Sequence, residues 1–368
     1  MLVAFIATIF VIYLTIQWLM QRPKNFPPGP PCLPIIGSIP FIPSKHIHFT
    51  MAGKWREKYG PLVGLIFGIS QMVLAVCGPH EVLEVLKKEE FQGRPKGESF
   101  KERSFNKYLG VFFSDGAFWM EQRRFTLRHL RDFGFGKKSM GDIIAEEVED
   151  SIKEMSKKGT FEVCGMFAIS ALNVLWGMIA GTKYSRDDEK MNQVLDRLKK
   201  VFRAGNPTGG IGAIFPILKR IIPGLIGYTE AMDNLHEMQS LFRNSIQEHK
   251  QNIDDNNARD FTDAYIKEMN LQKSNPNTTF TEEGLITICQ DLFAAGGETT
   301  TSSIEFSLLY MVLYPEVQKN VQKELDSVVG QNRRPTLEDR PNLPYVEAVI
   351  TELLRVCSIA PLTPPHRV

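Results

Sequence analysis

From Leu285 to Leu313 the chain runs without a proline, the next being Pro315, and most of the side chains are apolar. That length and composition predict a long helix, yet Gly296 and Gly297 fall near its middle. Each glycine costs about 1 kcal/mol against alanine in a helix interior. An acid and three hydroxyls follow directly: Glu298, Thr299, Thr300 and Thr301. A threonine hydroxyl can turn onto the carbonyl four residues back and bend the helix. Two readings are open. Something large lies in a groove against bare backbone, or two small residues let another helix pack closely.

The rest of the chain narrows the class. With 368 residues and 43% hydrophobic content there is enough apolar surface for one large core or two domains. A net charge of +1 gives no global sign of a nucleic-acid partner. Five cysteines, Cys32, Cys77, Cys164, Cys289 and Cys357, form no Cys-x-x-Cys pair. This is the usage of a reducing compartment, each thiol expected to be an inert core residue, and four of them have apolar neighbours. Leu2 to Met20 carries no charge, and at 1.5 Å per residue it would cross a hydrocarbon core of about 30 Å. A cleaved signal peptide would need a charged start and a small-residue cleavage site; a buried core helix would be amphipathic. Neither pattern is present. Arg22 and Lys24 follow, which predicts a single-pass anchor with the body on the cytosolic side.

After the anchor, Phe26-Pro-Pro-Gly-Pro-Pro31 reads as a stiff polyproline-like arm. Lys45 to Tyr59 is predicted helical, closed by Gly60-Pro61, and 61–67 and 71–77 form a hairpin through Gly68-Ile-Ser. Pro79 to Lys88 opens a short helix. From Phe91 to Ser114 periodicity fades, and a loop this long inside a compact domain is usually functional. Asp115 to Leu130 is predicted helical, with Trp119 and Arg123 four apart on one face and Arg124, Arg128, His129 and Arg131 around them. This is either a solvated basic face, or an indole and a guanidinium for a carboxylate with outer arginines for an acidic partner. Helices are also predicted over 142–157, 167–179, 187–203, 228–251, 315–328 and 343–357. Residues 204–225, rich in glycine, proline and aliphatic side chains, suit an apolar lid. Glu352 and Arg355, on the arc opposite the apolar face of the last helix, read by periodicity as a surface salt bridge.

Four signals now stand in order: Pro-Pro-Gly-Pro after the apolar start, Trp119-x-x-x-Arg123, Ala295-Gly-Gly-Glu-Thr-Thr300 and Glu352-x-x-Arg355. Together they resemble a cytochrome P-450, an animal microsomal haem-thiolate monooxygenase of the family-2 type, along the whole chain. The fold this implies is mainly α with a small β-rich lobe. It would comprise a membrane anchor (1–21), a proline-rich linker (22–40) and one catalytic domain (41–368). The resemblance implies that Trp119 and Arg123 bind a haem propionate, with help from Arg94 and from His366 in Pro-His-Arg367. Ala295 and Gly296 would lie over the distal haem face. Glu298 and Thr299 would form the acid–alcohol pair that relays protons toward the dioxygen site through ordered water. Glu352 and Arg355 would be tied into a core network rather than exposed.

The implied reaction is hydroxylation or epoxidation of a small lipophilic molecule with dioxygen, using electrons from NADPH. The electrons would come through a membrane-bound NADPH–cytochrome P-450 reductase, with cytochrome b5 as a further candidate donor, at the endoplasmic reticulum membrane. Substrate walls would come from 100–113, 204–225, 290–293 and 359–364. The resemblance also implies an axial cysteine in a Phe-x-x-Gly-x-Arg-x-Cys-x-Gly loop, expected beyond Val368. None of the five cysteines, Cys357 included, has that context, so no metal ligand is assigned. The chain to Val368 is expected to be inactive by itself. A haem-free, membrane-anchored binding or regulatory protein is the alternative expectation.

Overall fold

A computed structural model describes residues 2–19, 22–157, 159–189, 191–196, 210–254 and 256–368. The side chains at 2–5, 14, 17–19, 138 and 139 lie outside the description. The chain divides into two compact units, one within Met1–Pro95, Pro207–Tyr228 and Leu362–Val368, the other within Lys96–Asn206 and Thr229–Pro361.

In the first unit, Leu2–Leu19 is an uncharged helix of 18 residues (α1). Among the described residues no helix is long and apolar enough to cross a membrane. The proline arm lies against the hairpin formed by β1 (Leu62–Phe67) and β2 (Gln71–Val76), an antiparallel pair in register Leu62↔Val76 to Phe67↔Gln71. Gly64 N–H donates to the Pro28 carbonyl at 2.9 Å. The crossing requires glycine on both chains: a Cβ on Gly29 would sit 2.0 Å from Gly64 O, and one on Gly64 2.3 Å from Pro27 O. The Arg22 guanidinium folds back onto the Pro27 and Pro30 carbonyls at 3.2 and 2.5 Å, satisfying acceptors that an arm of prolines cannot pair within itself.

The segment predicted as one helix over 45–59 is helical but starts later. It runs through Ile47–Thr50, a π-turn over Met51–Trp55 and Arg56–Tyr59, and closes on Gly60 at φ 91. Trp55, Val63, Leu65 and Ala75 form the small core of this unit. The helix α2 (Pro79–Lys87) follows, with proline in its first turn as expected.

The second unit is helical: α3 (Gly116–Asp132), α4 (Lys138–Lys157), α5 (Ala168–Ala180), α6 (Tyr228–Gln251), α7 (Phe261–Leu271), α8 (Glu282–Leu313), α9 (Pro315–Val328) and α10 (Pro344–Cys357). Of the helix predicted over 187–203, residues 190 and 197–203 lie outside the described residues. The core is built around α5 and the first half of α8. Leu172, Ile179, Leu285, Ile286, Ile288 and Phe293 are fully buried. Trp176, Phe242 and Phe293 close it with ring centroids 5.5 to 6.3 Å apart, the range of favourable offset and edge-to-face pairs.

Two readings change here. The helix α7 lies outside the helices predicted from periodicity. Asp260, its N-cap, accepts from Asp263 N–H at 2.9 Å, and that acid marks the start. Glu352 and Arg355 are not tied into a core network. They pair bidentately with each other at 2.6 Å, with side chains 59% and 70% exposed, because no residue of α10 is buried. Periodicity read this pair correctly.

Candidate active site on the long helix

The predicted weak point does not interrupt α8, which runs unbroken for 32 residues. Thr281 caps it by accepting from Gly284 N–H at 3.0 Å, and Glu282 and Glu283 complement the positive end of its dipole. From Gly284 to Asp291 every residue is buried; beyond that point burial becomes one-sided. Gly296 faces α5, where a Cβ would come within 2.6 Å of Leu175 Cδ2. That position therefore serves close helix packing, the second of the two readings of the glycine pair. Ala295, one residue earlier and about 100° around the axis, is exposed. Glu298 and Thr299 follow at i+3 and i+4 on the same arc, both half-buried.

The hydroxyls along this stretch turn inward onto the helix. Thr299 Oγ1–H donates to the Ala295 carbonyl at 2.6 Å, Thr301 to Gly297 at 2.8 Å, Ser303 to Thr299 at 2.8 Å and Ser307 to Ser303 at 2.7 Å. The Thr299 oxygen keeps its lone pairs for a further donor. A helical threonine has two accessible rotamers, so the hydroxyl can leave the carbonyl by one staggered rotation.

The four carboxylate candidates fall into two groups, each inside its own unit. In the second, the Arg123 guanidinium carbon lies 5.4 Å from the Trp119 ring centroid, a cation–π contact. The indole N–H already donates to the Val111 carbonyl at 2.9 Å, so the exposed Arg123 presents the available donors. In the first unit, His366 reaches Arg94 across 272 residues of sequence. The Phe91 carbonyl, 2.6 Å from Nδ1, requires a proton there, leaving Nε2 to accept from Arg94 Nη1 at 3.2 Å. Backbone pairing between Gly93 and Arg367 holds the two together. Arg124, Arg128 and Arg131 are exposed on α3.

Sequence reasoning missed a buried ionic centre on α8 itself. Asp291 accepts from Arg103 Nη2 through Oδ1, and through Oδ2 from Val111 N–H at 2.8 Å and Phe112 N–H at 3.0 Å. An acid inside the apolar run Leu285–Phe293 was the available signal, since buried charges are paired. A second missed cluster joins His249, Asp260 and Asp263, whose ligand atoms lie within 4.8 Å of one another. Arg259 already occupies Asp263 with two hydrogen bonds at 2.6 and 2.9 Å, which makes this an ion network between helices. Of the thiols, only Cys289 is fully buried, and burial pushes it up to about 12; Cys164 is exposed, against the expectation of a core residue.

A family model for cytochrome P450 matches residues 27–368. The chain is 34% identical to "Farnesoate epoxidase" of Bombyx mori over 99% of its own length and 74% of that protein's. It is 34% identical to "Cytochrome P450 2C28" of Mesocricetus auratus (93% and 70%) and 35% identical to "Cytochrome P450 2J2" of Homo sapiens (95% and 69%). The chain belongs to the cytochrome P450 family, and within it to the haem-thiolate monooxygenases of the family-2 type. Nothing in these similarities favours a haem-free binding protein.

The residues in hand suit that cofactor. Arg123 on α3 and Arg94 beside His366 are cationic donors of the kind that carboxylates take up. The exposed Ala295, held outward because Gly296 is pressed onto Leu175, gives α8 a small-residue surface with an acid and an alcohol one turn on.

Proposed function

We propose that this monooxygenase inserts one oxygen atom into a small lipophilic substrate, drawing electrons from NADPH through a reductase, with cytochrome b5 as a second donor. The observation that carries the reading is the arc Ala295–Glu298–Thr299 on the uncovered side of α8. The haem, when bound, supplies the oxidising chemistry. Arg123, stacked on Trp119, would hold a haem carboxylate, and Arg94 beside His366 in the other unit is a donor of the same kind. Ala295 keeps the helix surface low, because any larger side chain there would obstruct oxygen. Glu298 collects protons from solvent through ordered water, and the Thr299 hydroxyl, released from the Ala295 carbonyl, passes them on. An alcohol has no useful pKa of its own, so it relays and the acid supplies. The apolar and aromatic side chains of 100–113, with 290–293, form a wall that selects lipophilic molecules. The exposed arginines of α3 dock an acidic reductase surface, where steering would weaken with salt. The uncharged α1 anchors the body to the endoplasmic reticulum membrane on its cytosolic side.

The test is coupling in the haem-loaded, full-length protein. Thr299→Ala is expected to lower product formed per NADPH consumed by about two orders of magnitude, the lower end of the range for a lost proton-transfer group. Peroxide release should rise in step while haem content stays unchanged. Unchanged coupling would remove Thr299 from the relay.

A further inference from the structure

Adjacent arginines occur twice in the chain, and each pair is followed, one residue further on, by a threonine: Arg123-Arg124-Phe-Thr126 and Arg333-Arg334-Pro-Thr336. Two arginines ahead of a hydroxyl are the charge pattern that basophilic protein kinases read with acidic pockets. Such an enzyme needs its substrate extended and the hydroxyl outside the core. The two sites differ in this respect. Thr126 lies inside α3 and is 2% exposed, its hydroxyl buried. Thr336 lies in the loop between α9 and α10, where residues 331–338 are all exposed and 334–336 have no regular structure. The next side chain, Leu337, is 65% exposed and offers an apolar contact beside the hydroxyl.

One carboxylate holds this loop. Asp339 accepts from the Arg333 fork at 2.6 and 2.7 Å, from the Thr336 N–H at 2.8 Å and from the Thr336 hydroxyl at 3.1 Å. Arg334 pairs separately with Glu149 of α4. Both arginine side chains are about half exposed, within reach of another protein's acids. We infer that Thr336 is a phosphorylation site for a basophilic kinase, and that its phosphate unclamps the loop. The γ-phosphorus of ATP becomes bonded to Thr336 Oγ1, its bond to the oxygen that leaves with ADP breaks, and the hydroxyl proton passes to the kinase's base. The transfer removes the hydrogen that now reaches Asp339 and puts a charge of about −1.5 to −2 beside that carboxylate. Phosphate and Asp339 then compete for Arg333. The phosphate carries the larger charge and stands in solvent, where it also draws Arg334 from Glu149. As the two anions separate, the Thr336 N–H loses its acceptor.

The haem-loaded full-length protein, incubated with ATP and the catalytic subunit of cyclic-AMP-dependent protein kinase, should take up a single phosphate, mapped to Thr336 by peptide mass spectrometry. Thr336→Ser keeps the hydroxyl and should be labelled; Thr336→Val should not. Arg334→Gln gives up only an exposed ion pair, so it should keep its haem. It should be labelled about tenfold more slowly, the loss of one charge-assisted contact to the kinase, and it decides the matter if Thr336→Val loses haem. Backbone hydrogen exchange across 333–339 should quicken about tenfold once the phosphate is attached, as a local opening made easier. No incorporation, label on Thr126 instead, or full-rate labelling of Arg334→Gln overturns the site. Complete labelling of Thr336 with unchanged exchange overturns the unclamping.

Discussion

His249 illustrates how a single side chain acquires a fixed charge. Its Nδ1 faces the Ser245 carbonyl at 2.7 Å and its Nε2 faces Asp260 Oδ2 at 2.9 Å. Both partners accept, so both ring nitrogens must donate and the ring is an imidazolium. Burial opposes that charge, but the bonds to Asp260 and Ser245 outweigh it and hold the pKa above the usual value. A pKa raised on folding stabilises the protein fully below the unfolded value of about 6.5, and that contribution is lost as pH climbs through the folded value. Denaturant midpoints of the native protein should therefore fall as pH rises across this window. His249→Gln should cost about 1–3 kcal/mol near pH 6, the price of an unmet buried partner, and less at higher pH. A pH-independent difference between the two proteins would show that the ring is neutral.

At the level of elements, α8 and α5 are held at a distance that Gly296 sets. A methyl group there would press on Leu175 Cδ2, the mobile end of a side chain, so the clash is relieved by moving Leu175 rather than backbone. Gly296→Ala gains about 1 kcal/mol in helix propensity and loses about 1–3 kcal/mol by overpacking. The expected net effect is a small destabilisation in urea melts. Combined with Leu175→Ala it should cost less than the sum of the single changes, because the two residues share one space. This pair also marks where sequence alone stops. The long helix and the Glu–Thr step on it were legible, since composition carries them, while its start at Glu282 and the Thr281 cap were not read. Which side of Gly296 met a neighbour was not, because that depends on a helix more than a hundred residues away. Arg94 and His366 were singled out separately by resemblance; their contact with each other was not foreseen, because 272 residues of sequence separate them. Arg103 and Asp291 were overlooked because neither stands in a periodic pattern or a motif; only contact joins them. For Glu352 and Arg355 the resemblance misled where the simple helical face did not.

Over the whole molecule, the ionic clamp on the loop at 97–113 comes from far along the chain. Asp291 lies 188 residues beyond Arg103 and 180 beyond Val111, yet supplies their partner. At a synthesis rate of about 5–20 residues per second, roughly 10–40 s separate the appearance of the two. Throughout that interval the aromatic loop is translated but cannot be clamped, and its apolar side chains stay open to chaperones, proteases or the nearby bilayer. Ribosome-bound chains arrested at residue 280 should be cut by trypsin at Arg103, whereas released full-length protein, with that side chain only 19% exposed, should resist. Equal cleavage in both states would show that the loop orders without α8. An acid placed late in the chain thus acts as a timer on biogenesis: the aromatic loop is made well before the residue that fixes it.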